Sequence, residues 1–123
     1  HLYFNNGNNQ PYLHLNGSWT NASDIAYKKD IEDITYGIDT VKKLKPRKYK
    51  HKGTNDDDIG FIAQEIELVM PEIVGGHEGN KGISYGNLTA ALTKAIQELT
   101  TKVETLEQEN IALRARVTNL EGE

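Results

Sequence analysis

Residues 96–120 read IQELTTKVETLEQENIALRARVTNL, and their apolar residues recur in alternating steps of three and four. This spacing puts two apolar positions of each heptad, a and d, on one stripe of a helix and predicts a coiled coil. The polar Asn110 occupies an a position, where a single asparagine fixes register and chain number at some cost in stability. The predicted seam consists of Ile96, Leu99, Val103, Leu106, Asn110, Leu113, Val117 and Leu120.

The charges beside this seam predict that parallel copies of the chain associate. In parallel helices, each g residue faces the e residue that lies five positions further along its neighbour. All three such pairs have opposite charges: Lys102 with Glu107, Glu109 with Arg114, and Arg116 with Glu121. Antiparallel helices would pair e with e and g with g, which matches the charges less consistently. The last third of the chain is therefore predicted to meet copies of itself.

Composition suits one compact domain with an appended helix. The chain has 123 residues, of which 37% are hydrophobic, and only two are Phe and one is Trp. Such a small apolar supply predicts that association contributes to stability. The formal net charge of −4 gives no reason to expect nucleic acid as the main partner, and no apolar run suits a membrane span. There are no cysteines, so disulfides and thiolate chemistry are excluded.

Upstream of the heptads, the pattern predicts an α+β head. Residues 1–22 are rich in Asn and Gly and are expected to form short strands at the end of an upstream β-rich region. Apolar residues at helical spacing predict an amphipathic helix over 31–44, ended by Pro46. Alternation predicts a strand over 47–52, returning after a turn as a second strand over 59–63.

The remaining head residues predict a second helix and a loop. The helix should begin at Gln64 and stop at Pro71, and a polar loop should follow over 75–82. Residues 83–85 can form a short strand or bridge. Asn87 is a plausible cap for the long final helix. The first apolar face of that helix, comprising Leu88, Leu92, Ala95 and Ile96, is expected to contact the head.

Ser23 and Lys28 are the best candidates for chemistry. A serine hydroxyl becomes a useful nucleophile when a base removes its proton, and lysine can serve when burial or positive charge lowers its pKa. Ser-Lys pairs are known variants of serine catalysis, and Lys29 supplies positive charge nearby. Spacing alone favours the simpler interpretation, in which Ser23 or Asp24 caps a helix and Lys28 is a solvated side chain.

Four blocks of sequence, in this order, resemble one family. They are Ser23-Asp24 with Lys28-Lys29-Asp30-Ile31, Leu44-Lys45-Pro46-Arg47-Lys48-Tyr49, Asp58-Ile59-Gly60-Phe61-Ile62-Ala63-Gln64-Glu65-Ile66, and Tyr85 with Leu88-Thr89-Ala90-Ala91-Leu92. The chain is similar to the self-cleaving intramolecular chaperone domain, an endosialidase-type peptidase, at the C-terminus of phage tailspikes, tail fibres and neck appendages. The third block is the strongest part of the resemblance.

The resemblance implies a trimer that assists folding of an upstream fibre and then cuts itself off. It implies that Ala22–Ser23 is the scissile bond, Ser23 the nucleophile and Lys28 the general base, while Asp24 either supports this site or only caps the helix. Residues 1–22 would end the fibre, 23–95 would form the processing head, and 96–123 the trimeric stalk. The precursor would be made in the host cytoplasm and associate with the virion, and the chaperone fragment would be released.

The number of chains in the coil has evidence on both sides. Valine at a with leucine at d favours two strands. The placement of Arg116 and Glu121 around Val117 and Leu120 resembles known trimeric coiled coils, and the family resemblance also implies three chains. We therefore expect a small helix and hairpin head followed by a parallel homotrimeric coiled coil.

Other residues have simpler interpretations. Seven of the 14 basic residues lie in 42–52, which favours a solvated or interchain-pairing surface over a nucleic-acid site. Asp56-Asp57-Asp58 lacks the spaced ligands of a calcium loop, and the four histidines lack metal-ligand spacing, so no metal or cofactor is expected. The rival function is a non-catalytic trimerisation or attachment module in which Ser23 is only a cap.

Overall fold

The computed structural model describes residues 2–3 and 12–122. The chain divides into two compact units, His1–Asp33 and Ile34–Glu123, and each is treated by itself. The described part is α+β, with small antiparallel sheets and one long C-terminal helix, which confirms the coarse fold class.

The first unit contains a three-stranded antiparallel sheet, as the composition of residues 1–22 predicts. Its strands β1 (Leu2–Tyr3), β2 (Tyr12–Leu13) and β3 (Trp19–Thr20) pair in sequence order. The tight β2–β3 connection passes through Gly17, whose φ of +86° suits glycine. A short 3-10 helix follows at Ile25–Tyr27.

The helix predicted over 31–44 is wrong in extent. Only Ile38–Val41, α1, is α-helical, and residues 31–36 have no regular structure. The helical spacing of the isoleucines does not produce a longer helix, because Gly37 interrupts the segment and glycine destabilises the interior of a helix. Gly37 instead precedes α1, where the Glu98 side chain occupies the space that a Cβ would need. Ile31 remains 68% exposed.

The first hairpin of the second unit lies close to its predicted position. Strands β4 (Arg47–Lys50) and β5 (Asp57–Gly60) pair antiparallel, with Lys48 opposite Ile59. The return strand thus starts two residues before the predicted 59–63 and ends before Phe61. The predicted helix is present but short, as α2 (Ala63–Glu67), and a 3-10 turn at Pro71–Ile73 follows it.

The polar loop predicted over 75–82 is instead a second hairpin. Strands β6 (Val74–His77) and β7 (Asn80–Ile83) pair antiparallel around a two-residue turn. Glycine is common there because a two-residue hairpin turn needs positive φ, which Gly79 supplies at +86°. Lys81 forms an ion pair with Glu67 and ties this hairpin to α2. The possible strand over 83–85 extends only to Ile83, and Tyr85–Asn87 forms a 3-10 turn.

The predicted final helix is confirmed as α3 (Leu88–Glu121), 34 residues or about 50 Å long. Asn87 stands immediately before it, but its side chain makes no capping hydrogen bond. Leu88 and Ala95 are buried, as predicted for the face that contacts the head. Leu92 and Ile96 are 43% and 63% exposed, so their assignment to that face is wrong.

The core of the second unit lies where α2 and the second hairpin meet the start of α3. Its buried members are Ile66, Met70, Ile73, Leu88 and Ala91, and Leu44, Phe61 and Ile83 are among the half-buried residues packed against them. Ala91 is fully buried, and its small side chain permits close approach of neighbouring elements. The core is small, and contacts between the head and α3 extend no further along the helix than Glu98 among those described here.

Truncating the core at Ile66 should destabilise the second unit strongly. Ile66 is 1% exposed whereas Leu68, two residues later, is 87% exposed. We expect Ile66→Ala to lower the free energy of unfolding by about 2–5 kcal/mol, because it loses burial and leaves a cavity. Leu68→Ala is the matched control and should change it by less than about 1 kcal/mol. Urea titration followed by circular dichroism measures both, and equal effects would contradict this core assignment.

Candidate functional site

Ser23 and Lys28 are in direct contact. Lys28 Nζ donates a hydrogen bond to Ser23 Oγ at 2.6 Å. Both side chains are exposed, and Ala22, whose carbonyl carbon precedes Ser23, is half-buried. All three residues belong to the first unit. The structure therefore brings together the nucleophile and base that the resemblance implies, beside the bond that it implies is cut.

A single tight turn produces this contact. Asp24 has an extended backbone, and its Oδ1 accepts a hydrogen bond from the Ala26 N–H at 2.8 Å. Backbone bonds from Tyr27 to Asp24 and from Lys28 to Ile25 then close the 3-10 helix. This turn brings the Lys28 side chain next to Ser23, which lies five residues earlier in the chain. Asp24 acts as a cap, and this cap shapes the turn that holds the two side chains together.

The contact has the distance needed for proton transfer between hydroxyl and amine. A protonated lysine can only donate to a hydroxyl, and a lysine can act as a base once it has lost its proton. Lys29 is also exposed, as are the turn residues Ile25 and Tyr27, at 73% and 56%. The contact is therefore open to water, and its use in catalysis stays a prediction.

The other family-like blocks interlock within the second unit. Arg47 of β4 makes two hydrogen bonds to the Glu65 carboxylate of α2, at 2.9 and 2.6 Å. These bonds, with charge from Arg47 and Lys45, hold the pKa of Glu65 below its usual value. The second and third blocks are therefore joined by a bidentate pair, which is geometrically more specific than a single ion pair.

The fourth block contacts the third through Tyr85. Its hydroxyl accepts a hydrogen bond from the Phe61 N–H at 3.1 Å, and the two rings lie 6.2 Å apart between centroids. A Cβ on Gly60 would lie 2.7 Å from the Tyr85 hydroxyl and 3.0 Å from that of Tyr49. Burial and the neighbouring Asp58 and Tyr85 raise the pKa of Tyr49. Glycine at position 60 thus allows both hydroxyls to approach the strand.

The predicted heptad seam is exposed along the whole of α3. The large side chains from Ile96 to Leu120 are between 45% and 65% exposed. Arg114 Nε donates to Asn110 Oδ1 at 3.0 Å, so this asparagine has a partner one turn away on its own helix. The association of copies through this seam stays a prediction. The sequence analysis missed Leu92, although it lies seven residues before Leu99 and so continues the d positions.

Several charged residues that had alternative interpretations are paired within the chain. Lys50 pairs with Asp57 at 2.8 Å, and His51 pairs with Asp58 at 2.9 Å. The His51 ring and the Ile59 N–H lower the pKa of Asp58. In residues 2–3 and 12–122, no group of three or more His, Cys, Asp or Glu is placed to hold a metal ion. Within the same ranges, no helix has the length and apolar content to cross a membrane.

Comparison with known proteins supports the resemblance. A family model described as "Chaperone of endosialidase", of the S74 peptidase family, matches residues 23–75. The long tail fiber protein Gp37 of Salmonella phage S16 is 31% identical in an alignment 100 residues long, and the match covers 72% of this chain. The Gp37 proteins of Enterobacteria phages K3 and T2 are each 29% identical in alignments 115 residues long, and these matches cover 85% of this chain.

The chain spans only a small part of these relatives, 13% of the S16 protein and 9% of each of the other two. The family match begins at Ser23 and includes Lys28, the hairpin β4–β5 and α2. The sequence blocks, the family match and the fibre relatives agree with one another. Residues 23–75 thus match the chaperone of endosialidase family, and the chain resembles phage long tail fibre proteins.

Proposed function

We propose that this chain is an intramolecular chaperone that trimerises, assists folding of an upstream phage fibre, and releases itself by cutting Ala22–Ser23. Residues 1–22 belong to the fibre, 23–95 form the processing head, and 96–123 form the trimeric stalk. The precursor is made in the host cytoplasm and becomes associated with the virion. The observation that carries the proposal is the 2.6 Å contact from Lys28 Nζ to Ser23 Oγ, at the first residue of the family match.

The cleavage step uses only groups of this chain and one water. Ser23 Oγ attacks the carbonyl carbon of Ala22 while its proton passes to Lys28 Nζ. The Ala22–Ser23 carbon–nitrogen bond breaks, and Lys28 returns the proton to the departing Ser23 nitrogen, leaving an ester on Ser23 Oγ. Water hydrolyses that ester, which frees the Ala22 carboxylate and restores the hydroxyl. Each chain therefore cuts itself once.

Trimerisation explains why such a domain helps an upstream fibre. Long-range strand pairing is slow because distant segments must meet before any contact stabilises them. Joining three chains at one end raises their effective concentration and aligns them for pairing. Removal of residues 23–123 afterwards separates the fibre from the domain that assembled it, so the persistence of the folded fibre depends on its unfolding rate. The exposed seam and its matched e and g charges support this role.

Replacing either member of the Ser-Lys pair should abolish cleavage. Ser23→Ala removes the nucleophile and Lys28→Ala removes the base, so we expect loss of cleavage by at least about a hundredfold. The full chain, produced under native conditions, is followed on denaturing gels and by mass spectrometry for fragments 1–22 and 23–123. Lys52→Ala and Ser84→Ala, both at exposed positions of the second unit, are the matched controls and should cleave as the unsubstituted chain does.

The same experiment separates the two candidate functions. If the unsubstituted chain forms trimers but stays intact under every folding condition, the non-catalytic module is correct and the protease assignment fails. If Lys28→Ala cleaves at the normal rate while Ser23→Ala does not, Lys28 is not the base. Cleavage at any bond other than Ala22–Ser23 would overturn the assigned site.

Reversing one predicted interchain pair should test the parallel arrangement. Lys102→Glu places like charges opposite Glu107 of a neighbour, and Glu107→Lys does the same with the opposite sign. Each single variant should lower the melting temperature of the trimer by a few degrees at low salt. The reason is that one substitution, present in all three chains, changes three interchain pairs. The double variant Lys102→Glu/Glu107→Lys should regain most of that loss.

Salt and geometry provide the check on this prediction. At 1 M NaCl the differences among the variants should shrink, because exposed charges are screened. An antiparallel coil would not bring residue 102 opposite residue 107 of its neighbour. Absence of recovery in the double variant, with all variants remaining helical, would therefore contradict the parallel register.

A further inference from the structure

The start of α3 presents two different faces. Leu88, Ala91 and Ala95 are buried against the head, at 5%, 0% and 8% exposure. Leu92, Ile96 and Leu99 are 43%, 63% and 54% exposed. At about 100° of rotation per residue, the centres of these two sets lie roughly 70° apart around the helix. Contact with the head therefore leaves a second apolar stripe uncovered beside it.

This uncovered stripe continues the heptad seam without interruption. Leu92 lies seven residues before Leu99 and occupies the preceding d position, while the exposed Thr89 occupies the preceding a position. The residues at e and g beside Leu92 are Thr93 and Ala95, which carry no charge. Contact in this heptad would thus involve no charged pair, unlike the heptads further along.

We infer that the interface between copies extends beyond the stalk to Leu92, so that the head itself takes part in assembly. This inference rests on the proposed trimer. The occupant of the stripe is the same stripe on the other two chains, because the matched e and g charges downstream set parallel chains in register. Parallel chains in register that meet at Leu99 also approach one another at Leu92, one heptad earlier.

The extended interface lies next to the 3-10 turn at Tyr85–Asn87, which contacts the third family-like block. Tyr85 lies seven residues before Leu92, in the 3-10 turn that leads into α3, and is 47% exposed. Its hydroxyl holds the Phe61 N–H. Packing of the chains at Leu92 restricts the start of α3 and therefore Tyr85. Assembly is thus coupled physically to the segment that links β5 to α2.

Leu92→Asp tests this inference, with Gln97→Asp as the matched control. Gln97 is an exposed residue at position b on the same helix, so the control adds the same charge away from the seam. Three carboxylates meeting at one layer are costly to desolvate. We expect Leu92→Asp to raise the concentration for half-assembly at least tenfold, and Gln97→Asp to change it less than twofold. Leu92→Asn, which adds no charge, should give an intermediate effect.

Sedimentation equilibrium of the full chain measures assembly, and hydrogen exchange at the Phe61 amide measures the coupling. If the unsubstituted chain is a monomer throughout, the proposed trimer fails, and this inference with it. If the unsubstituted chain is a trimer and Leu92→Asp assembles as Gln97→Asp does, the trimer stands and the extended interface is overturned. Circular dichroism establishes that each variant keeps its helix, and faster Phe61 exchange in Leu92→Asp alone is the expected coupling result.

Discussion

The division of α3 into two apolar faces is the constraint on which the rest of the structure depends. Near its start, Leu88, Ala91 and Ala95 complete the small core of the head. From Leu92 onward, a second stripe has no cover within its own unit and runs to the end of the helix. One helix therefore stabilises the head and leaves an apolar stripe exposed along the rest of its length. The proposed association of copies would bury that stripe.

The contact between Ser23 and Lys28 depends on local interactions within one turn. A capped 3-10 turn of three residues sets the distance between Ser23 and Lys28. This contact needs no core and forms in an exposed part of the chain. The turn therefore explains how the two side chains are positioned, and the cleavage proposed for them stays a prediction.

The sequence predicted correctly those elements whose own residues carry a regular pattern of polar and apolar side chains. Strict alternation located β4, and a sustained heptad repeat located α3. The predicted helix over 31–44 is wrong in extent because Gly37 interrupts the apolar spacing, and α1 packs against α3. The second hairpin was not predicted because the glycines at 75, 76, 79 and 82 are also typical of an irregular loop. Turn glycines flanked by Val74 and Ile83 would have been the better signal.

The sequence did not predict the contacts between residues that lie far apart in the chain. Nothing in the spacing of Tyr85 and Phe61 indicates a hydroxyl-to-backbone bond, and Glu98 gives no sign that it lies beside Gly37. The family-like blocks can be recognised in the sequence, but the contacts between them are seen only in the structure. The ion pair of Arg47 with Glu65 and the close approach of Tyr85 to Gly60 hold neighbouring elements together. These residues stabilise the head and lie apart in sequence from the Ser-Lys turn.

The central claim is that three copies meet side by side through the exposed seam of α3. The most direct measurement is the solution mass of the intact chain, with Ser23→Ala to prevent cleavage, by sedimentation equilibrium from about 1 to 100 μM. Our account predicts three chains per particle in the upper part of this range. A single-chain mass throughout, or particles of two antiparallel chains, would contradict it.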